Sequence, residues 1–252
     1  MRACAGCSVN CAELAEPTRR RAVQLDADGP EVPLALARLH RELGEGTVTT
    51  LQIEAAQGRG RSWTRDVVVG GGFEPFADPR GTAVRVRRLL TLPDTVGPGM
   101  RMLVCGLNPS VHAARMGVGF GRPGNRFWPA ALAAGVVSVD RDPDHALLHH
   151  GLGMTDLVKR ATGRAAELDA TEYAAGLPRV ERLVKWLEPA LVCVVGLSGW
   201  RTVVDPRATA GPQGVTIGGR PVYLMPSTSG LNAHARLEDL TRHLAMAWTR
   251  TG

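Results

Sequence analysis

Residues 102–110 read Met-Leu-Val-Cys-Gly-Leu-Asn-Pro-Ser. Four apolar residues closed by a glycine suit a short strand buried on both faces, as in a parallel sheet. The Gly106-Leu107-Asn108-Pro109-Ser110 that follows suits a sharp turn leaving the strand, with an Asn amide able both to donate and to accept. As a pentapeptide it also fits an ordinary structural βα turn. Downstream, Leu191–Val195 and Pro221–Met225 repeat the short apolar run. Arg126–Gly135, His145–His150, Thr171–Leu187, Ser198–Val204 and Leu237–Trp248 read as helices or turns between and after them. Strands alternating with helices predict an α/β layered fold with a mostly parallel sheet. Ligands of such sheets bind beyond the carboxyl ends of the strands, which points to Gly106–Ser110 and Pro226–Asn232.

Upstream the pattern is less regular. Residues 1–32 carry charge, Pro and Gly without periodicity and read as disordered. Leu34, Leu36, Leu39 and Leu43 have helical spacing over 33–43. Residues 47–53 and 63–69 read as two strands bounded by Gly, arranged as a hairpin. Gly70, Gly71 and Gly72 interrupt the chain, residues 84–91 alternate, and the Pro- and Gly-rich stretch 92–99 marks a boundary. The expected organisation is a disordered stretch 1–32, an appendage 33–90 without assigned role, and a catalytic domain 91–252.

Composition bounds the partners. The chain has 252 residues with a net charge of +6, and no apolar run is long enough to span a membrane. Only Lys159 and Lys185 are lysines among the 30 basic residues, so 28 are Arg, the residue suited to bidentate phosphate recognition. This charge permits nucleic-acid binding without requiring it. The first residues lack the apolar core of a secretory signal. Of five Cys, Cys105 and Cys193 lie in apolar runs, so a reducing cytoplasm is expected rather than a disulfide scaffold. Cys4, Cys7 and Cys11 could give a metal three ligands, but a closed site wants four, and no metal is expected.

Aromatics are 4% of the chain, so their clustering is informative. Gly119-Phe120-Gly121-Arg122-Pro123-Gly124-Asn125-Arg126-Phe127-Trp128 holds two of the four Phe and one of the five Trp. Glycines on both sides of Phe120 argue against a helix-core ring and for a stacking platform on a loop. Phe127 and Trp128 are expected to pack a helix on the sheet. Met225-Pro226-Ser227-Thr228-Ser229-Gly230-Leu231-Asn232 offers NH and OH donors for a phosphate backbone, with Leu231 as an apolar wedge.

Together, GLNPS, FGRPGNRFW and MPSTSGL resemble the mismatch-specific uracil/thymine DNA glycosylases. These are the bacterial Mug and vertebrate thymine-DNA glycosylase branch of the uracil-DNA glycosylase superfamily. The resemblance covers roughly residues 90–250. It implies a three-layer α/β/α sandwich with a short, mainly parallel sheet. It implies a monofunctional, monomeric enzyme without metal, cofactor or lyase step. That enzyme hydrolyses the N-glycosidic bond of uracil, and of thymine or etheno-cytosine, opposite guanine in double-stranded DNA, initiating base excision repair. Asn108 would position the attacking water and Phe120 would stack on the flipped base. Gly106, Leu107, Pro109, Ser110 and Asn125 would wall the base pocket. Ser227, Thr228, Ser229, Gly230, Leu231 and Asn232 would enter the duplex. Other branches place a His where this chain has Ser227, which suits the mismatch branch and implies slow chemistry.

Base extrusion costs a few kcal/mol, least for a wobble pair, and bond cleavage leaves an oxocarbenium-like sugar and an anionic base. Donors must stabilise that anion, and backbone NH groups of Gly106–Ser110 are candidates. Asp156, in Gly-Met-Thr-Asp-Leu, could activate the water or offset sugar charge; it also reads as an N-cap or surface residue. His112 and His234 are expected to face phosphate or solvent. Arg19–Arg21, Arg59, Arg61, Arg85, Arg87 and Arg88 are candidates for added DNA contacts from charge alone. Two rival readings are a catalytically weak binder of damaged or abasic DNA, and a nucleotide or phosphate-ester hydrolase. The second is disfavoured because neither a P-loop nor GxSxG occurs.

Overall fold

Two sheets and three apolar cores organise the described residues. The computed structural model describes residues 23–24, 29–53 and 60–252. Cys4, Cys7, Cys11, Arg19–Arg21 and Arg59, and the expected disorder of the first residues up to 22, lie outside the described residues.

The smaller sheet comes first. Its elements are β1 (Val23–Gln24), α1 (Val32–Glu42), β2 (Val48–Gln52), α2 (Arg61–Gly70), β3 (Phe73–Pro75) and β4 (Ala83–Arg88). The strand order is β1-β2-β4-β3, with β4 antiparallel to both its neighbours. Val84 and Val86 of β4 point inward while Ala83, Arg85 and Arg87 point out, the period-2 alternation of a half-solvated sheet. Leu36 of α1, Leu51 of β2, Val68 of α2 and Val86 close a core of their own.

Residues 63–69, expected as a strand, are helical instead. Trp63, Thr64, Val67 and Val68 are the buried positions, spaced as one face of a helix. The β-branched run Val67–Val69 favours a strand locally, but burial of that face against α1 and the sheet overrides the weak propensity.

The larger unit runs β5 (Met102–Gly106), α3 (Val111–Met116), α4 (Phe127–Ala133), α5 (Pro143–His150), β6 (Leu152–Asp156) and α6 (Ala170–Leu187). It continues with β7 (Leu191–Val195), α7 (Leu197–Val203), β8 (Gly211–Ile217), β9 (Arg220–Met225) and α8 (Leu237–Trp248). The sheet order is β6-β5-β7-β9-β8; the first four strands are parallel and β8 is antiparallel to β9.

Successive strand residues feed opposite cores. Leu103, Cys105, Val192 and Val194 pack with Val180, Leu183 and Val184 of α6 and Trp200 of α7. Met102, Val104, Leu191 and Cys193 pack with Phe127 and Trp128 of α4 and Leu240 and Leu244 of α8. The result is the expected α/β/α sandwich with a mainly parallel sheet. Phe127 and Trp128 are fully buried in it, as their place before an Ala-rich helix predicted.

β6 and β8 were not legible as strands. β6 contains Gly153, where an added Cβ would lie 2.1 Å from Met100 Sδ, so close packing requires the residue that weakens the strand pattern. β8 is a largely exposed edge strand with two Gly and one Pro, and little of it alternates.

The two units are joined by polar and aromatic contacts. Trp63 meets Trp186 of α6 edge-on with centroids 5.2 Å apart. Arg182 grips Asp66 with both nitrogens, one bond being 3.0 Å. The Asp94 amide donates to Gly70 O at 2.7 Å, and His40 Nε2 lies 3.0 Å from Leu89 O. Burial, aided by Arg88, drives the His40 pKa down to about 4, so the ring is neutral at physiological pH.

Candidate active site

The carboxyl ends of β5, β6 and β9 open onto one cavity of about 440 Å³. It is lined by Leu107, Asn108, Pro109, Ser110, Phe120, Asn125 and Asp156, with Ser227, Thr228, Ser229, Leu231 and Asn232 on its rim. Two loops far apart in sequence thus meet where an open α/β sheet accepts ligands.

Gly106, expected to wall the base pocket, does not itself line this cavity but lies under two side chains that do. It pairs with Asp156 in the β5–β6 register. An added Cβ would lie 2.5 Å from Asp156 Oδ1 and 3.3 Å from Phe120 Cζ. Only a bare backbone lets the carboxylate and the ring close over this point.

Asn108 is held rigidly. Its Nδ2 donates to Thr162 Oγ1 at 2.8 Å, Arg160 O at 3.0 Å and Pro109 O at 3.1 Å. Its NH₂ is therefore committed, and the side chain meets a ligand through Oδ1, an acceptor. Ser110 caps α3 by accepting from Ala113 N at 3.1 Å. Thr162 N donates to Pro109 O and Val111 N to Thr162 O, each at 3.1 Å, lacing this turn to the segment after β6.

Phe120 sits in left-handed backbone, φ 56°, an uncommon conformation for a bulky residue. Its ring stacks on Phe127 with centroids 4.4 Å apart and planes 20° apart. Trp128 Nε1 donates to Gly119 O at 2.8 Å and pins the loop. Beside it, an added Cβ at Gly121 would stand 2.9 Å from Val118 O, so one flanking glycine is required by space. Asn125 Oδ1 accepts from Phe127 N at 2.9 Å, so this residue starts α4 as well as lining the cavity.

Asp156 ends β6 and is neither a helix cap nor a surface residue. Burial raises its pKa from 3.8 to about 6, opposed by Lys159 and assisted by the Asp94 charge. Behind it lies a buried ionic cluster. Asp94 accepts from Arg179 at 2.7 Å, Lys159 at 2.9 Å and Thr155 Oγ1 at 2.7 Å. Burial alone would raise the Asp94 carboxyl, but Arg179 and Lys159 hold it below its ordinary value. Arg179 also donates to Asp156 O at 2.6 Å, fixing the end of β6. Cys105 and Cys193 have thiols that burial pushes up to about 12, which removes them as nucleophiles near neutral pH. Among the described residues no group of three His, Cys, Asp or Glu is placed to hold a metal ion.

The loop Pro226–Asn232 is preformed. Asn232 Nδ2 donates to Ser227 O at 2.8 Å, and Asn232 N to Ser229 O at 2.9 Å. Arg126, quoted within the aromatic motif but given no role from sequence, clasps it from outside. Its guanidinium donates to Ser229 O and Asn232 O at 2.8 Å each, and to Ala235 O, while its amide donates to Thr228 O at 2.9 Å. Gly230 abuts Gly124 O, 2.7 Å from where a Cβ would stand. Leu231 projects from the tip, 77% exposed. Thr228, expected to touch DNA, is buried and supports the loop from within. His112 lies on α3, and both it and His234 are exposed.

Asp94, Arg179, Thr162 and Lys159 also escaped sequence reading. Each acts through a contact 23 to 85 positions away, or through backbone groups, and leaves no local motif. The model of the uracil DNA glycosylase superfamily matches residues 93–250. A solution NMR structure of a candidate uracil DNA glycosylase from Methanosarcina acetivorans is 18% identical, covering 64% of this chain and 98% of that one, with a TM-score of 0.46.

Proposed function

The chain belongs to the uracil DNA glycosylase superfamily, and from that premise we propose that it is a monofunctional, mismatch-specific DNA glycosylase. It releases uracil, and by the same pocket thymine or etheno-cytosine, paired with guanine in duplex DNA. The observation that supports this most is the closure of Asp156 and Phe120 over the bare backbone of Gly106. Packed together there, the two side chains give the cavity an aromatic ring for a planar base to stack on and a carboxylate beside it.

The chemistry follows from the groups present. A wobble-paired base is extruded at lower cost than a Watson–Crick base, and Leu231 fills the space it leaves. The extruded base stacks on Phe120, whose ring is already backed by Phe127. Water attacks C1′ of the sugar as the glycosidic bond breaks, and the bonding electrons leave with the base. Asn108 holds the water through Oδ1, since its NH₂ is engaged elsewhere. Asp156, ionised above about pH 6, takes the water's proton or faces the positive charge on the sugar.

The test is base release from duplexes carrying uracil, thymine, etheno-cytosine, hypoxanthine or xanthine opposite G and opposite A. Release of uracil opposite G in preference to A is expected. Folded protein that releases uracil from no duplex would overturn the assignment. Equal release opposite A would overturn its mismatch specificity.

A further inference from the structure

The smaller sheet has a solvent face that the catalytic cavity does not use. Glu74, Phe76, Arg85 and Arg87 lie on it, with Thr50 beside Arg85 in the β2–β4 register. Phe76 is 49% exposed, a large ring left in water. The Arg85 and Arg87 guanidiniums lie 5.2 and 5.3 Å from its centroid. Glu74 lies 3.7 Å from Arg87, and the nearby Asp78 is paired with Arg65, so the balance of Arg65, Arg85 and Arg87 against two acids is positive.

An exposed ring flanked by two guanidiniums combines a stacking surface with phosphate-pairing charge. In a duplex the base faces are occupied by their neighbours. An unpaired strand presents both bases and phosphates to such a face.

Position connects this face to the active site. Phe76, Arg65, Thr91 and Lys159 line a groove of about 440 Å³ together with Glu74 and Asp78. Thr91 Oγ1 donates to Lys159 O, and the next residues on both segments belong to the other site. Leu92 lines the catalytic cavity, and Arg160 O accepts from Asn108. The two cavities are thus lined by consecutive residues, Thr91 and Leu92, of one segment, which sets them side by side. Arg88, the third arginine of this strand, is different: its Nε turns inward to His40 O at 3.4 Å.

We propose that Phe76, Arg85 and Arg87 form a second DNA contact, which binds an unpaired strand beside the nucleotide held in the cavity. This rests on the glycosylase reading for its ligand, but not on the lesion preferred. It selects two of the eight arginines that charge alone brings forward.

The experiment uses the full chain and a uracil-free oligothymidylate, with binding followed by fluorescence anisotropy across a salt series. Each phosphate contact on a single strand contributes about 0.7 to the slope of log K against log salt. Replacing both arginines (Arg85→Gln with Arg87→Gln) should flatten that slope by about 1.4. Phe76→Ala should weaken binding about tenfold at fixed salt. Thr50→Glu, which places a carboxylate in the face without removing a contact, should weaken binding relative to wild type by a factor that shrinks as salt rises.

Failure of the wild type to bind the oligothymidylate, or an unchanged slope and affinity in folded variants, would overturn the proposal. So would variants weakened only on fully paired duplex. Loss of uracil release from G·U duplex by the wild type would instead count against the glycosylase reading, since the binding assay contains no uracil.

Discussion

Replacing Asp156 by Asn should make the protein more stable and nearly inactive, with the gain confined to neutral and alkaline pH. The Asp156 carboxyl rises from 3.8 to about 6 because burial penalises its ionised form. The folded chain therefore holds this proton more tightly than the unfolded chain does. Stability from this group is fully present below about pH 3.8 and is lost as pH rises through about 6. At 1.36 kcal/mol per pH unit, the loss amounts to about 3 kcal/mol. Asn cannot ionise, so the variant escapes the loss. Asp156→Asn relative to wild type should show a difference near its acid baseline at pH 4 and about 3 kcal/mol larger at pH 8. Urea denaturation at pH steps between 4 and 8 measures this directly. In parallel, wild-type base release under single-turnover conditions should climb with pH and level off above about 6, while the variant falls by about 10²–10⁴. Parallel stability profiles for the two proteins would refute the account of a carboxylate strained by burial. A wild-type rate independent of pH would refute its role as base.

Other expectations follow from single contacts. Asn108→Ala should reduce base release at least about a hundredfold with little change in DNA affinity, read by single-turnover kinetics and anisotropy on one duplex. Leu231→Ala should lower release from duplex about tenfold and leave thermal melting unchanged, because the side chain is 77% exposed and supports nothing inside. Arg126→Ala should destabilise the fold by about 3 kcal/mol, since two backbone carbonyls of the wedge loop and that of Ala235 beyond it lose a charged donor. It should also slow release from duplex more than Leu231→Ala does, since the whole loop loses its anchor; an intact rate would show that Arg126 does not anchor the working loop.

The parallel core was readable because its signal is local. Met102–Cys105 and Leu191–Val195 are apolar on both faces, and only a sheet covered on both sides accepts that pattern. α6 was readable for the same kind of reason, since its apolar positions fall on one face; the reciprocal cap of Asp169 and Glu172 at its start came only with the structure. α2 misled because three consecutive valines carry a strand preference that is decided only by what the helix face packs against. The cavity was half legible. Gly106–Ser110 and Pro226–Asn232 follow strands, so their convergence at one end of a parallel sheet could be expected. Phe120 announced itself by its two glycine neighbours.

By itself the sequence determined the layered fold, the superfamily, and which two loops would meet, because strand periodicity, motifs and turn residues are written in adjacent positions. Tertiary structure alone decided that Asp156 is a half-buried strand-end carboxylate with a raised pKa rather than a helix cap. It decided that Arg126 holds the wedge loop, that Thr228 faces inward, and that Asp94, Lys159 and Arg179 form one cluster behind the cavity. These are properties of burial and of pairings across many tens of residues. A carboxylate's affinity for its proton depends on what surrounds it in space, and no local pattern records those surroundings.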